Sequence, residues 1–424
     1  MGLSRRQVLS ASLLAPVAAL TGCGSGDDGA GKPTGTALWC WPGGLSSAVI
    51  ADAVKRFAPD TRLTYTEHAG VFRTGLDTAL SKADGVPAIT GIKGEDLASY
   101  LPRADLFVDL LTLGADEIEN DYLAWKWQQG RANDGRLVGI PIDIGPTAAF
   151  YRADVFGRAG LPTEPADVDA AMRTWTEFRM LGARLRRRLP DTFWIANTMT
   201  LFTIAVSQSG TRFVDELNRF VGDGNHIRSA WDIAIGASTD GLCAHVDNDA
   251  PEWAALAADG SIAVSLGAAW HAQDIEGAAP LTRGKWRVAT GPAGDTNIGG
   301  SFLGIPASAS DPDLSFRIIR WLLNPGNQAR AFTDTRLFPS TPATYAMPAL
   351  TVADPFFGGQ RTIDVFSASA RHTRRLYEAP ADAAIQDVYL GELREVEYRG
   401  KAPAIAWRDA LRKARRLADE SGVN

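Results

Sequence analysis

From Thr36 onward the sequence alternates short β-rich runs with stretches whose apolar residues recur at helical spacing, a pattern that confines the chain to an α/β architecture, with mostly parallel central sheets expected. The segment Thr36 to Trp41 reads as a strand, and Pro42, Gly43 and Gly44 as a turn. Ser46 or Ser47 then caps a helix whose apolar face is Val49, Ile50, Ala53, Val54 and Phe57. Leu63 and Tyr65 alternate in a second strand, and Val86 to Thr90 leads into a helix near Glu95 to Leu101. Open α/β sheets bind ligands beyond the carboxyl ends of their strands, so the loops around Trp41, His68 and Lys93 are candidate walls of a site. Farther on, Thr174-Trp175-Thr176-Glu177 forms a capping box ahead of Phe178, Leu181, Leu185 and Leu189. Asp311-Pro312 opens a helix whose buried side is Leu314, Ile318, Leu322 and Leu323, and the segments Ala381 to Val396 and Ile405 to Ala418 close the chain as helices.

A length of 424 residues allows about two or three domains. An apolar share of 45% and a charged share of 22% suit a soluble globular chain and exclude a polytopic membrane protein or a disordered one. The net charge of −6 is spread along the sequence, so nucleic acid is not an expected partner. Eight lysines against 35 arginines reflect coding bias and carry no functional weight here.

The first residues form an export signal, with Arg5 and Arg6 ahead of the apolar run Val8 to Leu20. That run is too short to span a bilayer core, which takes about 20 residues of helix. Ser4-Arg5-Arg6-Gln7-Val8-Leu9 resembles a twin-arginine signal, and Leu20-Thr21-Gly22-Cys23 resembles the lipobox of bacterial lipoproteins. The resemblance implies a signal peptide over residues 1–22, with Cys23 as the lipidated N-terminus holding the protein to the outer face of the membrane. Residues 23–35 then serve as a flexible tether. Its Gly24, Gly26 and Gly29 match a phosphate-binding glycine pattern without the strand and helix that pattern needs. Cys40 and Cys243 either pair in the oxidising compartment or lie buried separately.

Catalytic signatures are largely missing: there is no His-Glu-x-x-His, no Walker loop and no Gly-x-Ser-x-Gly. The group His245, Asp247 and Asp249 lacks the glycine and distant glutamate of a calcium loop and reads as a solvated loop, so no metal or cofactor is expected. Two carboxylates at glycosidase spacing cannot be recognised by counting acids. The aromatic content is distinctive, with 12 tryptophans, 8 tyrosines and 17 phenylalanines, several beside glycine or proline turns. An indole can pack the C–H face of a pyranose while carboxylates and amides bond its hydroxyls. Trp39, Trp41, Trp194 and Trp270 are placed for that role, each with core packing as its alternative.

The run Gly135-Arg136-Leu137-Val138-Gly139-Ile140-Pro141-Ile142-Asp143 is followed by Ala149-Phe150-Tyr151-Arg152-Ala153-Asp154-Val155-Phe156, by Ala159-Gly160-Leu161 and by Thr174-Trp175-Thr176-Glu177-Phe178. A second block holds Asp259-Gly260-Ser261-Ile262-Ala263-Val264, Trp270, Gly299-Gly300-Ser301, Gly304-Ile305-Pro306, Leu322-Leu323 and Phe338-Pro339-Ser340. In this order the blocks resemble the extracellular solute-binding proteins of ABC transporters, in the carbohydrate-binding family related to maltose-binding protein. Ala88 stands where that family often has Asp, and Ser301 where some members carry a second tryptophan.

The resemblance implies a two-lobe periplasmic-binding-protein fold with a hinge and an interlobe cleft. Lobe one is expected at 36–143 plus 285–337, and lobe two at 144–284 plus 338–424. It further implies that Asp143 accepts sugar hydroxyls, that Trp270 stacks on the sugar, and that Gly299 and Gly300 let backbone approach it. Trp41 and His68 are assigned from their loops beside the cleft, and Tyr151 near the hinge. The expected function is a non-catalytic, monomeric lipoprotein that hands a sugar or small oligosaccharide to the permease of an ABC importer. The alternatives are a receptor for a polyol phosphate, peptide or other polar solute, favoured if arginines cluster in the cleft, and a secreted glycan hydrolase.

Overall fold

The structure, a computed structural model, describes residues 35–82, 84–248 and 250–424. The expected signal peptide, Cys23 and nearly all of the tether lie outside the described residues. Among the described residues eight strands form two sheets: β1 (Gly35–Cys40), β2 (Arg62–Glu67), β3 (Ile89–Ile92), β4 (Ile140–Pro141), β5 (Thr147–Arg152), β6 (Val264–Ala268), β7 (Trp286–Thr290) and β8 (Phe302–Gly304). The first sheet has the order β2-β1-β3-β8-β4 and the second β6-β5-β7. In β1 the residues Thr36, Leu38 and Cys40 are buried while their neighbours reach solvent, the period of two of a strand covered on one face.

The expectation of mostly parallel sheets holds only for β2-β1-β3. β8 runs antiparallel to both β3 and β4, and β5 runs antiparallel to both β6 and β7. The cause is the path of the chain. β5 leaves the junction between the sheets, whereas β6 and β7 return to it, so neighbours must run in opposite directions. Trp286–Thr290 therefore belongs to the second sheet, and the return to the first falls between Thr290 and Phe302 rather than at residue 285. Helix Pro325–Thr335 straddles the two halves. Its Ala329 and Phe332 join the second core, while its Asp334 accepts from Ser46 at 2.7 Å and its Arg330 pairs with Asp52 at 3.0 Å in the first.

Helices cover each sheet with its own core. Helix Ser47–Phe57 is capped by Ser46, whose hydroxyl accepts from the Val49 amide, and buries Val49, Ile50, Ala53 and Phe57; Val54 faces out. The capping box forms as expected: Thr174 Oγ1 accepts from the Glu177 amide at 3.1 Å and Glu177 accepts from the Thr174 amide at 2.9 Å. Helix Trp175–Arg188 then packs Phe178 against Trp194, ring centroids 5.2 Å apart. Trp194 is fully buried between Phe156 and Phe178, a core residue rather than a sugar platform. A further helical core lies between helices Thr198–Ser207, Asn225–Thr239, Asp382–Arg399 and Pro403–Glu420. Cys40 and Cys243 are free thiols buried in different cores, where loss of hydration pushes the Cys40 thiol up to about 12. No helix of the described residues is long and apolar enough to cross a membrane.

Candidate functional site

The segments that cross between the sheets are bonded to one another. The amide of Ile144 donates to the Phe338 carbonyl at 2.9 Å, that of Thr147 to Thr296 at 3.0 Å and that of Ile298 to Gly145 at 2.9 Å. Asn297 secures the crossing, accepting from the Gly145 amide at 2.7 Å and donating to the Gly299 carbonyl at 2.9 Å. Because β6 ends at this junction, Trp270 just beyond it is delivered into the space between the two halves.

A cavity of about 260 Å³ lies there. Trp270 and Trp125, both half-buried, supply its indoles, and Gly94, Asn297 and Gly299 supply wall where backbone comes close. Gly299 has φ +68°, and a Cβ on it would lie 3.1 Å from Trp270 Cη2, so glycine satisfies both the left-handed turn and the fit to the ring. Trp125 reaches from the first half and donates its Nε1 to the Ala370 carbonyl of the second at 3.1 Å. The polar wall combines Gln129 and Glu95 with Arg212, Glu378 and Gln386. Gln129 donates to Glu378 Oε2 at 3.2 Å across the gap, and Arg212 donates to Glu378 Oε1 at 2.6 Å.

Of the expected site residues, the structure brings Trp270 and Gly299 together on the cavity. Asp143 is placed behind its wall. This side chain is 3% exposed and accepts from the Ser301 amide at 2.8 Å, so it supports the crossing strand rather than offering a free carboxylate. Burial pushes its acid up to about 6, against the pull of Lys126 and the Ser301 amide. Lys126 is fully buried, donates to Gln129 Oε1 at 2.9 Å, and is pushed down to about 8 by the same loss of hydration. Gly300, at φ +78°, packs on this pair: a Cβ would meet the Asp143 carbonyl at 2.7 Å and Lys126 Nζ at 2.9 Å.

Trp41 and His68 do not line the cavity either. They belong to an aromatic cluster at the carboxyl end of β1, where His68 lies 4.2 Å from Trp39 and Trp41 meets Phe72 edge-on at 5.4 Å. Tyr151 is buried on the other face of β5 from Phe150, in the core that holds Phe156 and Trp194, and donates to the Thr163 carbonyl at 2.8 Å. His245 faces Glu397 at 3.2 Å, and Asp249 of its expected loop lies outside the described residues. Sequence reasoning missed Trp125, Gln129, Arg212, Glu378 and Gln386. Trp125 and Gln129 stand four apart on helix Ala124–Gln129, but Arg212, Glu378 and Gln386 come from other segments, and the basic run Arg371-His372-Thr373-Arg374-Arg375 ahead of Glu378 marks the neighbourhood.

The chain is similar to a lactose-binding protein of Rhizobium radiobacter, 22% identical over 342 residues covering 76% of this chain and 79% of that protein. An arabinooligosaccharide-binding protein of Bacillus subtilis is 26% identical over 216 residues, covering 48% and 47%. Among solved structures, an extracellular solute-binding protein of family 1 superposes with a TM-score of 0.85 at 28% identity, covering 91% of this chain and all of that one. The galacto-N-biose-/lacto-N-biose I-binding protein of a Bifidobacterium longum ABC transporter, solved with lacto-N-biose, gives a TM-score of 0.78 at 17% identity over 94% of this chain and 100% of that one, a likeness of fold. The family pattern described as bacterial extracellular solute-binding protein matches residues 74–357, well over half of the chain, and the protein belongs to that family.

Proposed function

We propose that this protein is the receptor of an ABC importer, binding a sugar or small oligosaccharide between its halves without chemical turnover. The observation that carries the reading is the pairing of half-buried Trp270 and Trp125 with a polar wall of Gln129, Asn297 and Glu378 in a single cavity at the crossing strands. Ring faces of sugars pack on indole, and their hydroxyls bond to amides and carboxylates. The named sugar-binding relatives lend support. Lobe one takes residues 36–143 and 291–337, and lobe two takes 144–290 and 338–424, turning about the crossings with helix Pro325–Thr335 packed against both. Ligand that contacts both would shift the population toward the closed form read by the permease. Attachment through Cys23 to the outer face of the cell membrane belongs to the same proposal.

The test is calorimetry of the purified chain against a panel of di- and trisaccharides, alongside product analysis over hours. Saturable binding without product is expected. Trp270→Ala should weaken it by about 10- to 100-fold, roughly 1.4–2.7 kcal/mol. Product release, or the absence of saturable binding across the panel, would reject the reading.

A further inference from the structure

We infer that the saccharide carries an anionic group, a carboxylate or a phosphate ester, held at the arginines of the cavity. The inference rests on the sugar-receptor reading and narrows its substrate class. Arg212 is 9% exposed and lies in the cavity wall. Its Nη1 donates to Glu378 and its Nη2 to Gln386, yet its Nε has no hydrogen-bond partner. A buried guanidinium donor without a partner is unusual, because removal from water is uncompensated.

Arg374 and Arg375 add two more cations to the same wall, from the coil between helices Thr362–His372 and Asp382–Arg399. Both are exposed, and among the described residues neither forms an ion pair. Arg336 shows the contrast, bridging Glu276 and Asp354 at 2.5 and 2.8 Å. Across this cavity the acids facing them are Glu378, already engaged by Arg212 and Gln129, and Glu95 of the opposite half; Arg375 also faces Asp105 and Asp134 across a neighbouring cavity, where Asp134 is paired with Arg136. Within the first cavity three arginines thus meet two glutamates, one of them committed. A neutral sugar would leave this excess uncompensated on closure. A carboxylate or phosphate would accept from a planar guanidinium fork through two oxygens. A second cavity of about 290 Å³ adjoins the first, sharing Gln129, Arg375, Leu376 and Glu378, so a longer chain bearing the anion at this point has room beyond it.

Calorimetry should compare digalacturonic acid with galactobiose, and galactose 6-phosphate with galactose, at low and at high sodium chloride, with inorganic phosphate as a separate ligand. The expected result is at least about tenfold tighter binding of one acidic member than of its neutral counterpart at low salt. The preference should shrink as salt screens it. Which pair shows it distinguishes carboxylate from phosphate. In Arg374→Gln/Arg375→Gln, whose altered side chains are exposed, the ratio of acidic to neutral affinity should fall about tenfold. Neutral sugars binding as tightly as their acidic partners would overturn the inference and leave the sugar reading standing. Binding of inorganic phosphate alone, with no saccharide bound, would overturn both. Failure of both acidic saccharides to bind would overturn the inference.

Discussion

The indole of Trp270 rests on Gly145: a Cβ on that glycine would lie 2.5 Å from Cζ3 of the ring and would also collide with the Ile298 carbonyl. One glycine of the crossing strand therefore sets both the strand's pairing and the position of the cavity's aromatic wall. Gly145→Ala should cost about 2–3 kcal/mol of stability, because neither backbone nor a packed indole yields cheaply. It should also weaken saccharide binding by about tenfold through displacement of Trp270. Urea unfolding and calorimetry on the same preparation check both effects. Parental stability together with parental affinity would refute the seating of the ring.

Gln129 spans the gap between the halves, accepting from Lys126 in its own helix and donating to Glu378 from the other half. Gln129→Ala removes that bridge and takes a partner from a buried ammonium. A loss of about 1–2 kcal/mol is expected. The ligand-free protein should also show a larger radius of gyration by small-angle scattering, since a contact made only when the halves are close no longer favours that arrangement. An unchanged scattering curve would remove Gln129 from the balance between open and closed forms.

Lys126 and Asp143 titrate in opposite directions because both are buried. The native acid, raised to about 6, binds its proton more readily than the unfolded one, so its contribution is present at pH below about 4 and is lost as pH rises through about 6. The native ammonium, lowered to about 8, loses its proton more readily than the unfolded one, so its contribution is present above about 10.5 and is lost as pH falls through about 8. The pair is therefore least favourable between about 6 and 8. The double variant Lys126→Met/Asp143→Asn should gain most on the parent in that window, and the gap should narrow toward pH 4. Lys126→Met alone, which strands a buried carboxylate, should lose about 3 kcal/mol at pH 7. Denaturant midpoints across pH check the sign, and a gap that widens toward pH 4 would contradict it.

Local rules carried the fold far. The capping box at Thr174 and the Asp311-Pro312 start are written in adjacent residues, and both form as read. Strand direction was not legible in the same way, because it depends on where the chain enters and leaves the junction between the sheets. The site divides along the same line. Trp270 and Gly299 line the cavity from positions next to recognisable strands, whereas Arg212, Gln129 and Glu378 meet only through tertiary folding. Asp143 was misread for a physical reason: its acid type and its motif suggest hydroxyl binding, but the Ser301 amide and Lys126 already occupy its surroundings.

The closing helices Asp382–Arg399 and Pro403–Glu420 meet along a stripe of alanines, Ala406, Ala410, Ala414 and Ala418, each fully buried at a spacing of four. Small side chains at that spacing let the helices approach closely. The pair is fastened by Glu392, 2% exposed, which accepts from Lys401 at 2.5 Å and from Lys413 at 2.6 Å. Ala410→Leu inserts a branched chain where no space exists and should destabilise the protein by about 1–3 kcal/mol. Arg412→Leu alters the same helix on its exposed side and should stay within about 0.5 kcal/mol. Thermal and urea unfolding of the two variants separate packing from helix propensity, since leucine is a good helix former at either position. Equal stabilities would mean that the alanine stripe tolerates bulk and that the contact between the helices is loose.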